Sequence, residues 1–220
     1  MVHEVDYTLY LVTDRMLMGT QTLQRCIEQA LAGGVTLVQL REKYLDTDSF
    51  IELGKPVKYL CDAHNVPLVI NDRVDVALEL GADGVHLGQG DMDAAQARDL
   101  LGPDRSLGVS ATNVEEALKA EADGADYLGV GAMFTTLTKA DASYVSLETL
   151  AAIRDAVQLP IVTIGGMDER TIPLCGPCKV QGFAVVSALV GQPDVCLAAK
   201  RLKHCAMVHA QPVPSRLCGI

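Results

Sequence analysis

The sequence lacks an excess of positive charge, an apolar run long enough to cross a bilayer, and a paired-cysteine framework. Each absence removes a class of protein. With 18 basic against 28 acidic side chains, the net charge is −10. Such a chain lacks the concentrated basic face that nucleic-acid backbones demand, so no nucleic-acid partner is expected. A small anionic substrate stays open, because a few basic groups in one cleft reverse the local potential. A membrane-spanning helix needs about 20 apolar residues, and no segment approaches that. No basic stretch followed by an apolar one opens the sequence either. No membrane partner is therefore expected, and a cytoplasmic location is.

The seven cysteines are odd in number and scattered along the chain, unlike a secreted disulfide scaffold. Cys175-Gly-Pro-Cys178 has the spacing of a redox pair. A short helix over about 168–174 should end there and a strand should follow, so the helix dipole would not favour a thiolate. That order reads as a loop with Gly-Pro turn chemistry. No second cysteine pair completes a zinc site.

What the chain has is eight apolar segments, beginning at Tyr7 and then over 36–41, 67–72, 83–88, 106–111, 125–131, 160–166 and 181–187. Several are nearly continuous rather than alternating, as parallel strands covered on both sides should be. Helical stretches separate them. One over 20–32 ends at Gly33-Gly34, one over 72–80 ends at Gly81, and one over 113–121 carries Asn113 and Glu116 as a cap. Ser146 begins another, and a last helix covers about 193–208. GADGVHLG (81–88) and GADYLGVG (124–131) echo each other. The expected fold is a single α/β domain, a (β/α)8 TIM barrel over 1–209, with a C-terminal extension over 210–220 whose structure breakers point to a flexible, poorly ordered tail.

In such a barrel the strand C-termini form the active face. Arg41 and Lys43, two residues apart, point the same way and suit a phosphate or diphosphate. Lys139 closes a threonine-rich loop within reach of the same anion. Asp72 and Asp91 follow different strands at one level and suggest an oxygen-ligand Mg²⁺ site, although each also reads as a helix N-cap. Asn71 reads as an amide donor to substrate or as a loop cap. Gly165-Gly166 and the Val186-Ser187 step suit a phosphate monoester, where glycine permits close approach and a short helix presents its N–H groups. His86 alternates with Val85 and Leu87, which suits a structural or substrate-lining role better than proton transfer. Ser110 can neighbour it, but no third group completes a nucleophilic triad.

With those residues in place, the chain resembles the thiamine phosphate synthases over most of its length. The segments that carry the likeness are YLVTD (10–14), QLREK (39–43), INDRVDVALELGADGVHLGQGDM (70–92), GAMFTTLTK (131–139), IGG (164–166) and AVVSA (184–188). The resemblance implies a transferase that couples an aminopyrimidine-methyl diphosphate to a thiazole phosphate, releasing thiamine phosphate and diphosphate. It implies that Gln39 holds the pyrimidine, with Arg41, Lys43, Asn71, Ser110 and Lys139 around it and its diphosphate. Asp72 and Asp91 would bind Mg²⁺. Thr136, Thr138, Gly166, Val186 and Ser187 would receive the thiazole phosphate.

The implied step is a Mg²⁺-assisted, dissociative substitution that needs no strong base. Asp14 receives no role. The chain departs from the family at Ala132 and Thr135, where proline is usual, which should leave that loop less restricted. A thiazole tautomerase-type barrel shares only the thiazole-phosphate half, and a noncatalytic scaffold barrel would need none of these polar groups.

Overall fold

In the computed structural model, which describes residues 5–135 and 144–213, each of the eight apolar segments forms a strand. They are β1 (Leu9–Val12), β2 (Leu37–Leu40), β3 (Leu68–Asn71), β4 (Gly84–Leu87), β5 (Ser106–Ala111), β6 (Tyr127–Val130), β7 (Ile161–Ile164) and β8 (Gly182–Val185). Neighbours pair in parallel in chain order, and β8 closes onto β1 with Tyr10 opposite Ala184. The fold is therefore the (β/α)8 TIM barrel. Helices α1 (Leu23–Ala32), α2 (Thr47–Ala63), α3 (Val74–Leu80), α4 (Ala94–Leu101), α5 (Val114–Ala122) and α6 (Leu147–Ala156) follow the first six strands. The short α7 (Ile172–Cys175) follows β7, and α8 (Ser187–Val190) and α9 (Val195–His209) follow β8. Among the described residues, no helix is long and apolar enough to cross a membrane.

Period-two alternation divides the core. Outward positions such as Leu11, Val38, Ile70, Val85 and Leu128 pack under the helices in one large cluster. Inward positions Tyr10, Val12, Leu37, Val69, Tyr127, Val162 and Ala184 form a second cluster inside the barrel. The helix boundaries follow their caps. Asn113 Oδ1 accepts from Glu116 N at 2.9 Å, Ser146 Oγ accepts from Thr149 N at 3.1 Å, and Gly81 closes α3 in the left-handed region at φ 63°.

The N-terminal face carries a repeated device. The residue just before each even-numbered strand accepts a hydrogen bond from a backbone N–H at the start of the preceding odd strand. Thr36 Oγ1 accepts from Leu9 N at 3.0 Å, Asp83 Oδ2 from Leu68 N at 2.9 Å, Asp126 Oδ2 from Leu107 N at 2.9 Å, and Gln181 Oε1 from Ile161 N at 2.8 Å. These four bonds fix the register of the strand pairs at the end away from the active face. Arg98 adds a clamp, donating to Asp126 and to the carbonyls of Gly102, Arg105 and Gly124.

The Cys175-to-Cys178 segment lies between β7 and β8. Cys175 ends α7, and Gly176–Cys178 forms a single 3-10 turn before β8. Both cysteines are free thiols, and burial pushes the Cys175 thiol up to about 11 and raises Cys178 as well. Neither offers a thiolate near neutral pH, in agreement with the loop reading. After α9, Gln211 N–H bonds to the Val180 carbonyl at 2.8 Å, and Val213 packs against the barrel interior. Residues 214–220 of the extension lie outside the described residues.

Replacing Asp126 with Ala strands Leu107 N–H and removes the carboxylate partner of Arg98, at a cost of about 2–4 kcal/mol. Chemical denaturation should register that loss, while the folded variant should retain full turnover, because this face is remote from the chemistry. A stability within about 0.5 kcal/mol of the parent would contradict the role given to this bond.

Candidate active site

The opposite, C-terminal face opens into a cavity of about 520 Å³. Gln39, Arg41, Lys43, Asn71, Asp72, Asp91, Ser110, Gly166, Val186 and Ser187 all line it. The alternation that buries the outward positions sends Gln39, Asn71, His86 and Ser110 inward near the tops of β2, β3, β4 and β5. Thr136, Thr138 and Lys139 lie outside the described residues.

The floor is a line of hydrogen bonds across five strands. Gln39 Nε2 donates to the Tyr10 hydroxyl at 2.8 Å, and the Tyr10 and Tyr127 hydroxyls are 2.8 Å apart. His86 Nδ1 lies 3.0 Å from the Tyr127 hydroxyl, and its Nε2 lies 3.0 Å from Ser110 Oγ. Glycines make the room. A Cβ on Gly108 would come within 2.2 Å of the Tyr127 ring, and one on Gly129 within 2.8 Å of His86 Cε1. His86 and Ser110 are thus neighbours, as their positions on adjacent strands suggested. The third group beside them, at His86 Nδ1, is the Tyr127 phenol, not a carboxylate.

The rim gathers charge. Lys43 Nζ meets Asp72 Oδ2 at 2.5 Å, and Arg41 Nη1 lies 3.4 Å from Asp14 Oδ2. Asp14 therefore gains a place that its sequence position alone did not supply: it flanks the Arg41 guanidinium and caps the turn at Arg15–Leu17. Thr13, fully buried, accepts from Arg41 N at 2.9 Å and fixes the start of the same segment.

The Asp72 and Asp91 carboxyls influence each other's protonation. Burial works to raise the Asp72 carboxyl, but the Lys43 ammonium and the interaction with Asp91 outweigh it and hold Asp72 below the ordinary carboxylate range. Burial and the neighbouring Asp72 raise Asp91 instead. The expectation that these two carboxylates double as helix N-caps is corrected. The N-cap positions are Arg73 for α3 and Asp93 for α4, because α3 begins one residue and α4 two residues later than the sequence suggests. Asp72 sits in the left-handed region at φ 64°, a conformation that aspartate tolerates better than most residues. Asp91 Oδ2 accepts from Gly88 N at 2.7 Å and stays at the cavity.

Asn71 caps no loop. Its side-chain Nδ2 is buried and has no hydrogen-bond partner among the described residues, and it faces the same cavity. Buried amides without partners are uncommon, and at a cavity wall such a group is available to a ligand.

At the far side, Gly165 and Gly166 turn through the left-handed region at φ 93° and 67°. The α8 turn begins at Ser187, with Leu189 N and Val190 N both donating to the Val186 carbonyl. The loop after β6 leans on this turn: Met133 N donates to Ile164 O and Phe134 N to Gly165 O. Ala132 is buried, and its carbonyl accepts from Val145 N at 2.9 Å.

A closed parallel barrel with cations, carboxylates and a glycine turn around a top-face cavity has the architecture of a (β/α)8-barrel enzyme. The family model for thiamine monophosphate synthase matches residues 9–189. A thiamine-phosphate synthase of Ruminiclostridium cellulolyticum is 51% identical over 92% of this chain and 96% of its own length. One from Clostridium tetani is 48% identical over 90% and 95%. The solved thiamine phosphate pyrophosphorylase of Pyrococcus furiosus superposes with a TM-score of 0.86 at 37% identity, covering 94% of this chain and 98% of that one. The chain belongs to the thiamine monophosphate synthase family and is a transferase of thiamine biosynthesis.

The raised Asp91 carboxyl means that its ionised form opposes folding when no ligand is bound. That burden is absent below the ordinary aspartate range and appears as pH rises through the folded-state value. Asp91→Asn, which can still accept from Gly88 N, should therefore melt higher than the parent at pH 7 without metal. The advantage should vanish as the pH is lowered and Asp91 protonates. A thermal-melt series in which the variant is the less stable protein at pH 7 would contradict the electrostatic reading.

Proposed function

We propose that this enzyme couples 4-amino-2-methyl-5-(diphosphooxymethyl)pyrimidine to 4-methyl-5-(2-phosphooxyethyl)thiazole, giving thiamine phosphate and diphosphate by a dissociative, Mg²⁺-assisted substitution. The observation that carries this reading is that two sets of residues line one cavity from different strands. Arg41, Lys43, Asp72 and Asp91 follow β2, β3 and β4, and Gly165, Gly166 and Ser187 follow β7 and β8. A barrel that handled only the thiazole phosphate would need no second, doubly cationic end.

Gln39 is suited to hold the pyrimidine, because its amide offers a donor and an acceptor to an aminopyrimidine edge. Arg41, Lys43 and Lys139 supply positive charge for the diphosphate, and Asn71 and Ser110 supply uncharged donors. Thr136, Thr138, Gly166, Val186 and Ser187 suit the thiazole phosphate. The first N–H groups of a short helix remain unsatisfied within it and favour an anion.

Mg²⁺ fits the donor set. Asp72 and Asp91 are adjacent hard-oxygen ligands whose mutual repulsion a dication would relieve. When bound, the ion supplies charge neutralisation to the diphosphate oxygens.

In the proposed step the bond from the pyrimidine methylene to the diphosphate oxygen breaks, and the electron pair leaves with the diphosphate. The aminopyrimidine ring spreads the positive charge. The thiazole nitrogen lone pair then forms the new carbon–nitrogen bond. No proton has to be removed from the nucleophile, consistent with a site that has hydrogen-bond donors and cations, and a phenol instead of a carboxylate at His86 Nδ1. The residues act by holding the two substrates in line and by stabilising the departing charge.

The test is a product assay with both substrates, with and without Mg²⁺. Thiamine phosphate and diphosphate should appear in equal amounts, and chelation should suppress both. Arg41→Ala and Lys139→Ala should each lower kcat/KM by roughly 100-fold or more while leaving the fold intact, the scale expected for one charge-stabilising donor. Turnover at the parental rate in both variants would remove the diphosphate clamp. Conversion of the thiazole phosphate alone would favour the tautomerase-type reading.

A further inference from the structure

Distances along the floor do not say which atom carries each proton, but the orientation of the Gln39 amide together with a count of protons does. Tyr10 is 1% exposed and Tyr127 0%. Burial pushes both phenols far above their ordinary range, so each keeps its single proton. Leaving such a buried proton without an acceptor carries the full desolvation penalty of the hydroxyl.

The Tyr10 oxygen receives a hydrogen bond from Gln39 Nε2, and the acceptor among its described partners is the Tyr127 oxygen. The Tyr10 proton therefore goes to Tyr127. Tyr127, having accepted, gives its own proton to His86 Nδ1. Nδ1 is then the lone-pair nitrogen, and the ring proton sits on Nε2, where it is donated to Ser110 Oγ. A second proton on the ring would have to occupy Nδ1 and would strand the Tyr127 proton. Ser110, with one lone pair filled, keeps its hydroxyl proton for the cavity that it lines.

We propose that Tyr127 is a positioning residue: it fixes His86 as the neutral Nε2–H tautomer and so makes Ser110 a hydrogen-bond donor toward the bound substrate. The same chain couples the two ends of the floor. With the Gln39 amide turned over, every bond reverses, His86 carries its proton on Nδ1, and Ser110 spends its proton on the ring. Only the identity of what Ser110 faces rests on the proposed coupling reaction. The tautomer does not.

The ligand-free full chain, labelled with ¹⁵N in its histidine rings, tests this by long-range proton–nitrogen correlation near pH 7. The His86 signals are assigned by their loss in His86→Asn. The expected pattern is an unprotonated Nδ1 and a protonated Nε2. An Nδ1–H tautomer or an imidazolium would overturn the proposal. In Tyr127→Phe the His86 signals should move toward a mixture of the two tautomers, and an unchanged pattern would remove Tyr127 from the role. If that variant does not fold, coupling of the Tyr127 hydroxyl proton to His86 Nδ1 in the parent decides the same point, and a hydroxyl proton directed elsewhere would overturn it.

Activity supplies a second arm. Tyr127→Phe should lower kcat/KM by roughly 3- to 10-fold, about one hydrogen bond, and should add nothing on top of Ser110→Ala. Full additivity of the two changes would show that Tyr127 does not act through Ser110. Failure of the coupling reaction itself would appear as absence of product in every variant, with the ligand-free spectra unaffected.

Discussion

The hydrogen bond between the Tyr10 and Tyr127 hydroxyls joins β1 to β6, two strands that share no ladder. Much of the top face depends on it. The two rings fill the barrel interior, where Gly108 and Gly129 leave the space that Tyr127 and His86 occupy. Buried polar groups are costly unless every one is satisfied, so a chain of five residues on five strands admits few arrangements. It sets the height of the cavity floor and presents Gln39 and Ser110 to it. The apolar layer outside the strands could tolerate volume-conserving changes. This inner line could not.

Above the floor the cations are already paired. Lys43 sits on Asp72, Arg41 beside Asp14, and Arg15 forks onto Glu42. Partly exposed pairs of this kind contribute only about 0–1 kcal/mol each. They hold the side chains at the rim without binding them so firmly that a polyanion could not compete for them. Arg41 and Lys43, gathered at the rim, would let a chain of net charge −10 take the anions of the proposed reaction. Local placement of charge decides binding, and the global sign does not.

The eight strands were legible because parallel strands buried on both faces leave near-continuous apolar runs. The site was legible where the chemistry sits at strand ends, as with Arg41, Asn71 and Asp91. Other parts were hidden for physical reasons. Helix α2 spans 17 residues, yet Pro56 lies inside it and reads locally as a breaker. Tyr10 and Tyr127 pass as ordinary apolar strand residues, since a phenol's polar end leaves no mark in a hydrophobic pattern. The capping roles suggested for Asp72 and Asp91 failed because helix starts are set by the residue that bends into the first turn, which here is Arg73 or Asp93. Asp14 acquires meaning only when β1 and β2 come together and bring it to Arg41.

The central claim is that one cavity binds two anions of unequal kind at opposite ends. The most direct measurement is a crystal structure of the protein with Mg²⁺, diphosphate and the thiazole phosphate together. The account predicts diphosphate against Arg41 and Lys43 with the metal on Asp72 and Asp91, and the monoester at Gly166 and Ser187. Both anions at the same end, or a metal bound away from Asp72 and Asp91, would contradict it.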